Sequence, residues 1–392
     1  MKRTTDNLIY LDSAATMPID QKVVSAMTAC LNNTEVMGNP SSLNYAGRNA
    51  MHDIEIARQK LANLLHTNKD NLTWTSGATE SNNLAIIGAA RFRSHLGRHI
   101  ITMATEHKAV LGAFDYLEKE GFEVTRLMPD PSGLLKLADL KEAIKKETQL
   151  VSIMHVNNET GVTQDIVKIG SICREKNILF HTDAAQSIGK ISLNLDQLPI
   201  DLLSISAHKF YGPQGIGALY MRKAAGCGVI PLHYGGEQEN WIRPGTLPVH
   251  QIIGFGVAAE LALERSEDDY LIMQDLHKRL WSGLKSIPGI EINGTIKSKY
   301  PGILNVSISG IDGESLILLL EPLCVANGSA CNSKNNEPSF VLKALGRSDL
   351  QAQSAIRFSF NRNTTYEEID ITINKYHKAV QYLREIAPDE LI

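Results

Sequence analysis

From about residue 72 to 222, short apolar runs rich in β-branched residues alternate with stretches of helical periodicity. Strands are predicted at 72–75, 99–104, 150–156, 178–182, 202–206 and 216–221. Between them, 108–119 sets Val110, Phe114 and Leu117 on one stripe, and 164–176 does the same with Ile166, Ile169 and Cys173. Such alternation predicts an α/β domain around a mostly parallel sheet, because parallel neighbours need crossover connections. The apolar run 252–259 suits a buried helix.

After about residue 262 the texture changes. A charged helical stretch at 264–286 leads to strand-like 303–309, a helix at 313–321 and a strand at 356–360, which predicts a second, α+β domain. The last helix opens with a capping box, Thr365 and Glu368. Ile369, Ile373, Tyr376, Val380 and Leu383 then mark one buried face.

Composition narrows the classes. At about 150 residues per domain, 392 residues make two or three domains. With 39 Lys and Arg against 43 Asp and Glu, the net charge of −4 gives little footing for direct nucleic-acid binding. No apolar run nears the roughly 18 residues of a membrane span, and polar 4–7 stands where a signal peptide would be apolar. A cytoplasmic protein without membrane contact is expected. Five cysteines without a C-x-x-C pair form neither a disulfide framework nor a metal site. Cys30, Cys173 and Cys324 read as packing residues and Cys227 as a loop thiol.

In parallel α/β sheets, ligands bind beyond the carboxyl ends of the strands. After 72–75, Ser76-Gly77-Ala78-Thr79-Glu80 is a small-residue turn opening a helix. Its N–H groups and helix dipole suit a phosphate, and a Thr-capped turn is the structural alternative. After 99–104, His107 can stack on an aromatic ring or shuttle protons, or simply make a surface hydrogen bond. Asn157-Asn158-Glu159 is a polar loop or plain turn chemistry. Asp183 ends an apolar strand, where a carboxylate needs a partner: a protonated pyridine nitrogen, an arginine or a helix N-terminus. Lys209 lies between an apolar strand and a Gly/Pro turn, placed for desolvation that makes an amine nucleophilic, or else solvated in a loop. In that chain order these are the parts that a pyridoxal 5′-phosphate site requires.

The motifs YLDSAAT (10–16), GNPSS (38–42), TSGATES (75–81), TEH (105–107), VNNE (156–159), Asp183 with Gln186, SAHKFYG (206–212), Arg243 with Gly245-Thr246, GSAC (328–331) and IRFS (356–359) cover nearly the whole chain. Together they resemble the cysteine desulfurases of the NifS/IscS type within the class V aminotransferase family. The resemblance implies a PLP-dependent transferase of fold type I. Its large domain, 16–262, would carry a mostly parallel seven-stranded sheet; 1–15 and 263–392 would form the small α+β domain. Lys209 would be the Schiff-base lysine and the acid/base at the substrate α-carbon. Asp183 would pair with the pyridinium, His107 stack on the ring, and Gln186 and Asn158 reach the ring hydroxyl. Gly77, Ala78, Thr79, Ser206 and His208 would hold the phosphate, with Thr246 supplied by the partner of a homodimer. Asn158 and Arg357 would bind the substrate, Arg357 clamping its carboxylate.

Cys331, in a polar stretch expected to be a mobile loop, would attack the sulfur of bound L-cysteine, carry it as a persulfide and release L-alanine. The acceptor would be a protein, either an iron–sulfur scaffold or a thiolation enzyme serving tRNA or DNA phosphorothioation. A selenocysteine lyase or class V aminotransferase that does not need Cys331 is the alternative. Two departures from the family pattern stand out: Asn44 replaces a histidine, and Glu237, Asn240 and Trp241 interrupt a glycine-rich segment before Arg243.

Overall fold

The computed structural model describes residues 8–327 and 337–386. After β1 (Ile9–Tyr10) come α1 (Gln21–Asn32), α2 (Tyr45–Leu64), β2 (Leu72–Thr75), α3 (Ala78–Phe92), β3 (His99–Met103), α4 (Lys108–Lys119) and β4 (Glu123–Leu127). They are followed by α5 (Leu137–Ala143), β5 (Thr148–Ser152), α6 (Ile166–Glu175), β6 (Leu179–Asp183), β7 (Leu202–Ser206) and β8 (Gly217–Met221). The long α7 (Val249–Leu284) leads to β9 (Ile290–Ile292), β10 (Ile303–Ile308), α8 (Gly313–Leu320), β11 (Leu323–Cys324) and β12 (Ala326–Asn327). Past the undescribed stretch lie α9 (Phe340–Ala344), α10 (Asp349–Gln353), β13 (Ile356–Ser359) and α11 (Tyr366–Ile386).

Seven strands form the large sheet in the order β2-β8-β7-β6-β5-β3-β4. All run parallel except β8, which is antiparallel to both β2 and β7. β3, β5, β6 and β7 are buried along their whole length, as strands covered on both faces must be. α3 and α4 cover one face, with Ile86, Phe114 and Leu117 in the core. On the other face, α6 and the first half of α7 pack Ile169, Cys173 and Phe255 against Trp74, Ile101 and Phe180.

A second core forms around the antiparallel sheet β12-β13-β10-β9 and helices α8 and α11. The segment 9–14 belongs to it: β1 pairs with β11, and the Ala14 N–H donates to Ser359 Oγ at 2.8 Å. The capping box of α11 is present, with Glu368 and Thr365 bonded reciprocally at 2.8 and 3.2 Å.

Three expectations need correction. The apolar run 252–259 and the charged stretch 264–286 are one helix of 36 residues, whose first half is packed into the large sheet and whose second half buries only Met273, Leu276, His277, Leu280 and Leu284. β4 is a strand that the apolar pattern does not predict, because at the sheet edge it exposes Glu123 and half-buries Val124, Thr125 and Arg126. β5 starts at Thr148 and ends at Ser152 rather than running to residue 156, although Ile153 and His155 still donate to the β6 carbonyls of His181 and Asp183.

Candidate active site

The carboxyl ends of β2, β3, β5, β6 and β7 open into one cavity of about 550 Å³. Gly77, Ala78, Thr79, His107, Asn158, Asp183, Gln186, Ser206, His208, Lys209 and Arg357 all line it. The structure therefore brings together eleven of the residues singled out from the sequence.

At the end of β2 the N-cap of α3 is Gly77, which makes no side-chain cap, so the Thr-capped alternative does not hold. With φ at +149°, Gly77 adopts a backbone conformation that disfavours a side chain. The uncapped start of this 15-residue helix points its N–H groups and dipole at the cavity, beside the buried Ser206 at the end of β7. An anion is the natural complement.

His107 is the N-cap of α4, its Nδ1 accepting from the Ala109 N–H at 3.1 Å. Nδ1 is therefore the acceptor, and in the neutral ring Nε2 carries the hydrogen. Burial and the charges of Lys209 and Lys108 lower its pKa, with Asp183 opposing. His208 bonds through Nδ1 to Thr16 Oγ1 at 3.1 Å; burial, then Lys209 and Lys190, push it down to about 4. Both rings are neutral near pH 7.

Asp183 ends β6, almost fully buried. Its oxygens accept from Asn82 Nδ2 at 2.7 Å and from the Ala185 N–H at 2.9 Å. These are two neutral donors, which fix the carboxylate without neutralising it. Lys209 lies in the single turn after β7, half-buried, with Nζ 2.8 Å from the carbonyl oxygens of both Ala14 and Ala15. Gln186 donates from Nε2 to the same Ala14 oxygen at 2.7 Å. The amine is thus held at the cavity wall by acceptors from the N-terminal segment.

Arg357, on β13, is buried and donates to Asp12 Oδ1 at 2.6 Å and to the Asn158 carbonyl at 2.9 Å. These bonds engage two of the five N–H groups of the guanidinium, and Arg357 lines the cavity, where a carboxylate can meet the others. Glu159 is pushed up to about 7, mainly by burial, and accepts from Ser339 Oγ at 2.5 Å. Glu106 accepts from the Met154 N–H and is held well above the usual carboxylate range by complete burial.

Two expectations fall elsewhere. Cys331 lies outside the described residues. Thr246 does not line the cavity of Lys209; within this chain it borders an open neighbouring cavity of about 990 Å³ with Arg243, Ser76, Thr79 and Glu80. Cys173 is buried as expected, whereas Cys30 and Cys324 are only partly buried, as is Cys227. Beside the second cavity, Glu239, Asn240 and Trp241 all have positive φ, 50°, 55° and 67°. Trp241 thus takes a left-handed conformation at the position where the family pattern has glycine.

The sequence assigns no site role to Asn82, Asp12, the Ala14 and Ala15 carbonyls or Lys190, although 12, 14 and 15 lie in the YLDSAAT motif. Asn82 sits within the apolar helix α3, and its only signal was an amide facing a buried strand end.

Comparison with known proteins agrees with this arrangement. The sequence matches the Aminotransferase class-V family over residues 9–371. It is 49% identical over 381 residues to "Cysteine desulfurase IscS" of Photorhabdus laumondii subsp. laumondii, covering 97% of this chain and 94% of that protein. Among solved structures, a "NIFS-LIKE PROTEIN" superposes with a TM-score of 0.89 at 36% identity, covering 96% of this chain and all of that one. "SspA in complex with cysteine" superposes with a TM-score of 0.81 at 36% identity, over 91% of this chain and 100% of that one. With its sheet, its strand-end cavity and its sequence in agreement, the chain belongs to the class-V aminotransferase family, among the cysteine desulfurases.

Proposed function

We propose that the protein is a pyridoxal 5′-phosphate-dependent cysteine desulfurase that converts L-cysteine to L-alanine and passes the sulfur from Cys331 to an acceptor protein. The observation that carries this reading is the Lys209 amine, held by two carbonyls in a cavity that also contains the Asp183 carboxylate and an uncapped helix start. The donor set fits the cofactor. The N–H groups of Gly77, Ala78 and Thr79, with Ser206 and His208, suit its phosphate, and Asp183 suits a ring nitrogen cation.

When bound, the cofactor supplies an electron sink for the substrate α-carbon. Each remaining task falls to a residue of the chain. His107 would cover the cofactor ring, and Gln186 and Asn158 would meet its hydroxyl. Arg357, at the cavity wall, would clamp the substrate carboxylate. Lys209 would take the α-proton and, once the carbon–sulfur bond has broken, return it to the α-carbon. The Cys331 thiolate attacks the substrate sulfur; an S–S bond forms as the carbon–sulfur bond breaks, and the electron pair left on carbon is protonated to give alanine.

The same reading assigns 16–262 to a large domain and 1–15 with 263–392 to a small one, supported by the two separate cores. It also includes a homodimer in which Thr246 completes the partner's phosphate site. The open cavity around Thr246, with exposed Tyr234 and Trp241 nearby, supports that pairing. Among the described residues no helix is long and apolar enough to cross a membrane, and we assign the reaction to the cytoplasm. The sulfur acceptor would be an iron–sulfur scaffold or a thiolation enzyme, with nucleic acid reached only through that partner.

Alanine release from L-cysteine tests the reading. Cys331→Ala is expected to abolish it while leaving the cofactor's visible absorption in place, and Lys209→Ala is expected to remove both. Undiminished alanine from Cys331→Ala would overturn the persulfide route in favour of a lyase or aminotransferase.

A further inference from the structure

We propose that Lys190 is a positioning residue that keeps the carboxamide of Gln186 turned with its donor end towards the cofactor cavity. The inference rests on the cofactor reading above and extends it to a residue outside the cavity.

Lys190 ends the turn that follows β6 and is only 6% exposed. The turn is forced close to the core at Gly189, where φ is +68° and an added Cβ would meet the Phe210 ring and Cβ at 2.9 Å. This packing carries the lysine side chain inward. Its Nζ lies 2.9 Å from Gln186 Oε1 and 5.4 Å from the centroid of the Tyr300 ring.

A carboxamide is planar and two-ended, one end accepting and the other donating. An ammonium has three donors and no acceptor, so it can meet only the oxygen of Gln186. With Oε1 committed to Lys190, Nε2 must face the opposite way, and it donates to the Ala14 oxygen at 2.7 Å. That carbonyl also accepts from Lys209 Nζ, and Gln186 itself lines the cavity. Gln186 therefore offers a donor to an oxygen of a bound ring. Were the amide turned over, it would set oxygen against the Ala14 oxygen and against a ring oxyanion, and leave its NH₂ facing an ammonium. Burial and the charges of Lys209 and Arg357 bring Lys190 down to about 7, and its neutral amine still has N–H groups for Oε1.

The test is titration of apo-protein with pyridoxal 5′-phosphate, following affinity and the pH dependence of the bound cofactor's visible absorption. Lys190→Met removes the donor at similar volume. It is expected to weaken binding about tenfold, the size of one hydrogen bond to a charged group, and to shift the absorption titration. Gln186→Ala should do the same, and the double variant should be no worse than Gln186→Ala alone, because Lys190 acts through Gln186. Lys190→Arg keeps donors and brings no acceptor, and should bind within about threefold of wild type, less than the loss of one such bond. Additive losses, or Lys190→Met with wild-type affinity and spectrum, would overturn the proposal. If Lys190→Met does not fold, Lys190→Arg decides: retained affinity supports the role, and a tenfold loss overturns it. Wild-type protein that binds no cofactor removes the cofactor reading and this inference together, whereas wild-type binding with an unaltered Lys190→Met removes the inference alone.

Discussion

Asn82, in the second turn of α3, donates to Asp183 Oδ2 at 2.7 Å and so ties the helix that opens the anion site to the strand that ends in the acid. Because the other oxygen is held by the Ala185 N–H, the carboxylate is oriented by two neutral donors at the cavity wall. Asn82→Leu removes one of them from a buried carboxylate. Affinity of the apo-protein for pyridoxal 5′-phosphate should fall about tenfold, from loss of a hydrogen bond to a charged acceptor. Binding unchanged from wild type in a titration would show that Ala185 suffices.

Arg357 is fixed by Asp12 on one side and by the Asn158 carbonyl on the other, at 2.6 and 2.9 Å. Asp12→Asn keeps the shape but weakens the anchor, so the guanidinium samples orientations that do not meet a carboxylate. The Michaelis constant for L-cysteine should rise roughly tenfold, with turnover less affected, as befits a group that binds substrate before chemistry. A fall in kcat with an unchanged Michaelis constant would refute this assignment.

The loop bearing Trp241 depends on Glu239. Its carboxylate meets Arg58 in a two-pronged pair at 2.7 and 2.8 Å and accepts from the Trp74 N–H at 2.7 Å, with the side chain nearly buried. Three consecutive positive-φ residues are costly without glycine, and these bonds oppose that cost. Glu239→Ala would leave the buried Arg58 with Glu55 as its one acidic partner among the described residues. A loss of about 3 kcal/mol in denaturant unfolding is expected; a loss under roughly 1 kcal/mol, the range of surface pairs, would mean the loop is held by other contacts.

What the sequence made legible follows from where the signal lay. Strands buried on both faces, such as β6 and β7, announce themselves as unbroken apolar runs, and the residues just past them were recovered as a set. β4 escaped because only Leu127 is buried in it. The sequence splits α7 into two pieces because its environment changes from a fully covered face to a single stripe along its length. The supporting groups were harder still. Ala14 acts through its carbonyl, which no side chain advertises, and Asn82 and Lys190 act on Asp183 and Gln186 only because the chain brings distant or turned segments together.

The pH dependence of stability should separate two buried groups with opposite signs. His181, fully enclosed in β6, lies between Ser152 Oγ at 2.7 Å and Ser204 Oγ at 3.0 Å, and burial pushes it down to about 3 from 6.5. Between those values the unfolded chain binds a proton that the folded chain does not, so this group makes stability fall as pH drops below 6.5. Glu159 is raised from 4.5 to about 7. In that window the folded chain holds the extra proton, so its contribution is complete below 4.5 and is lost as pH rises towards 7. His181→Asn should therefore flatten the acid limb by up to about 1.4 kcal/mol per pH unit, and Glu159→Gln should steepen it. Denaturant unfolding at half-unit steps from pH 7 to pH 5 measures both, and parallel slopes in wild type and His181→Asn would mean that the ring already carries its proton in the fold.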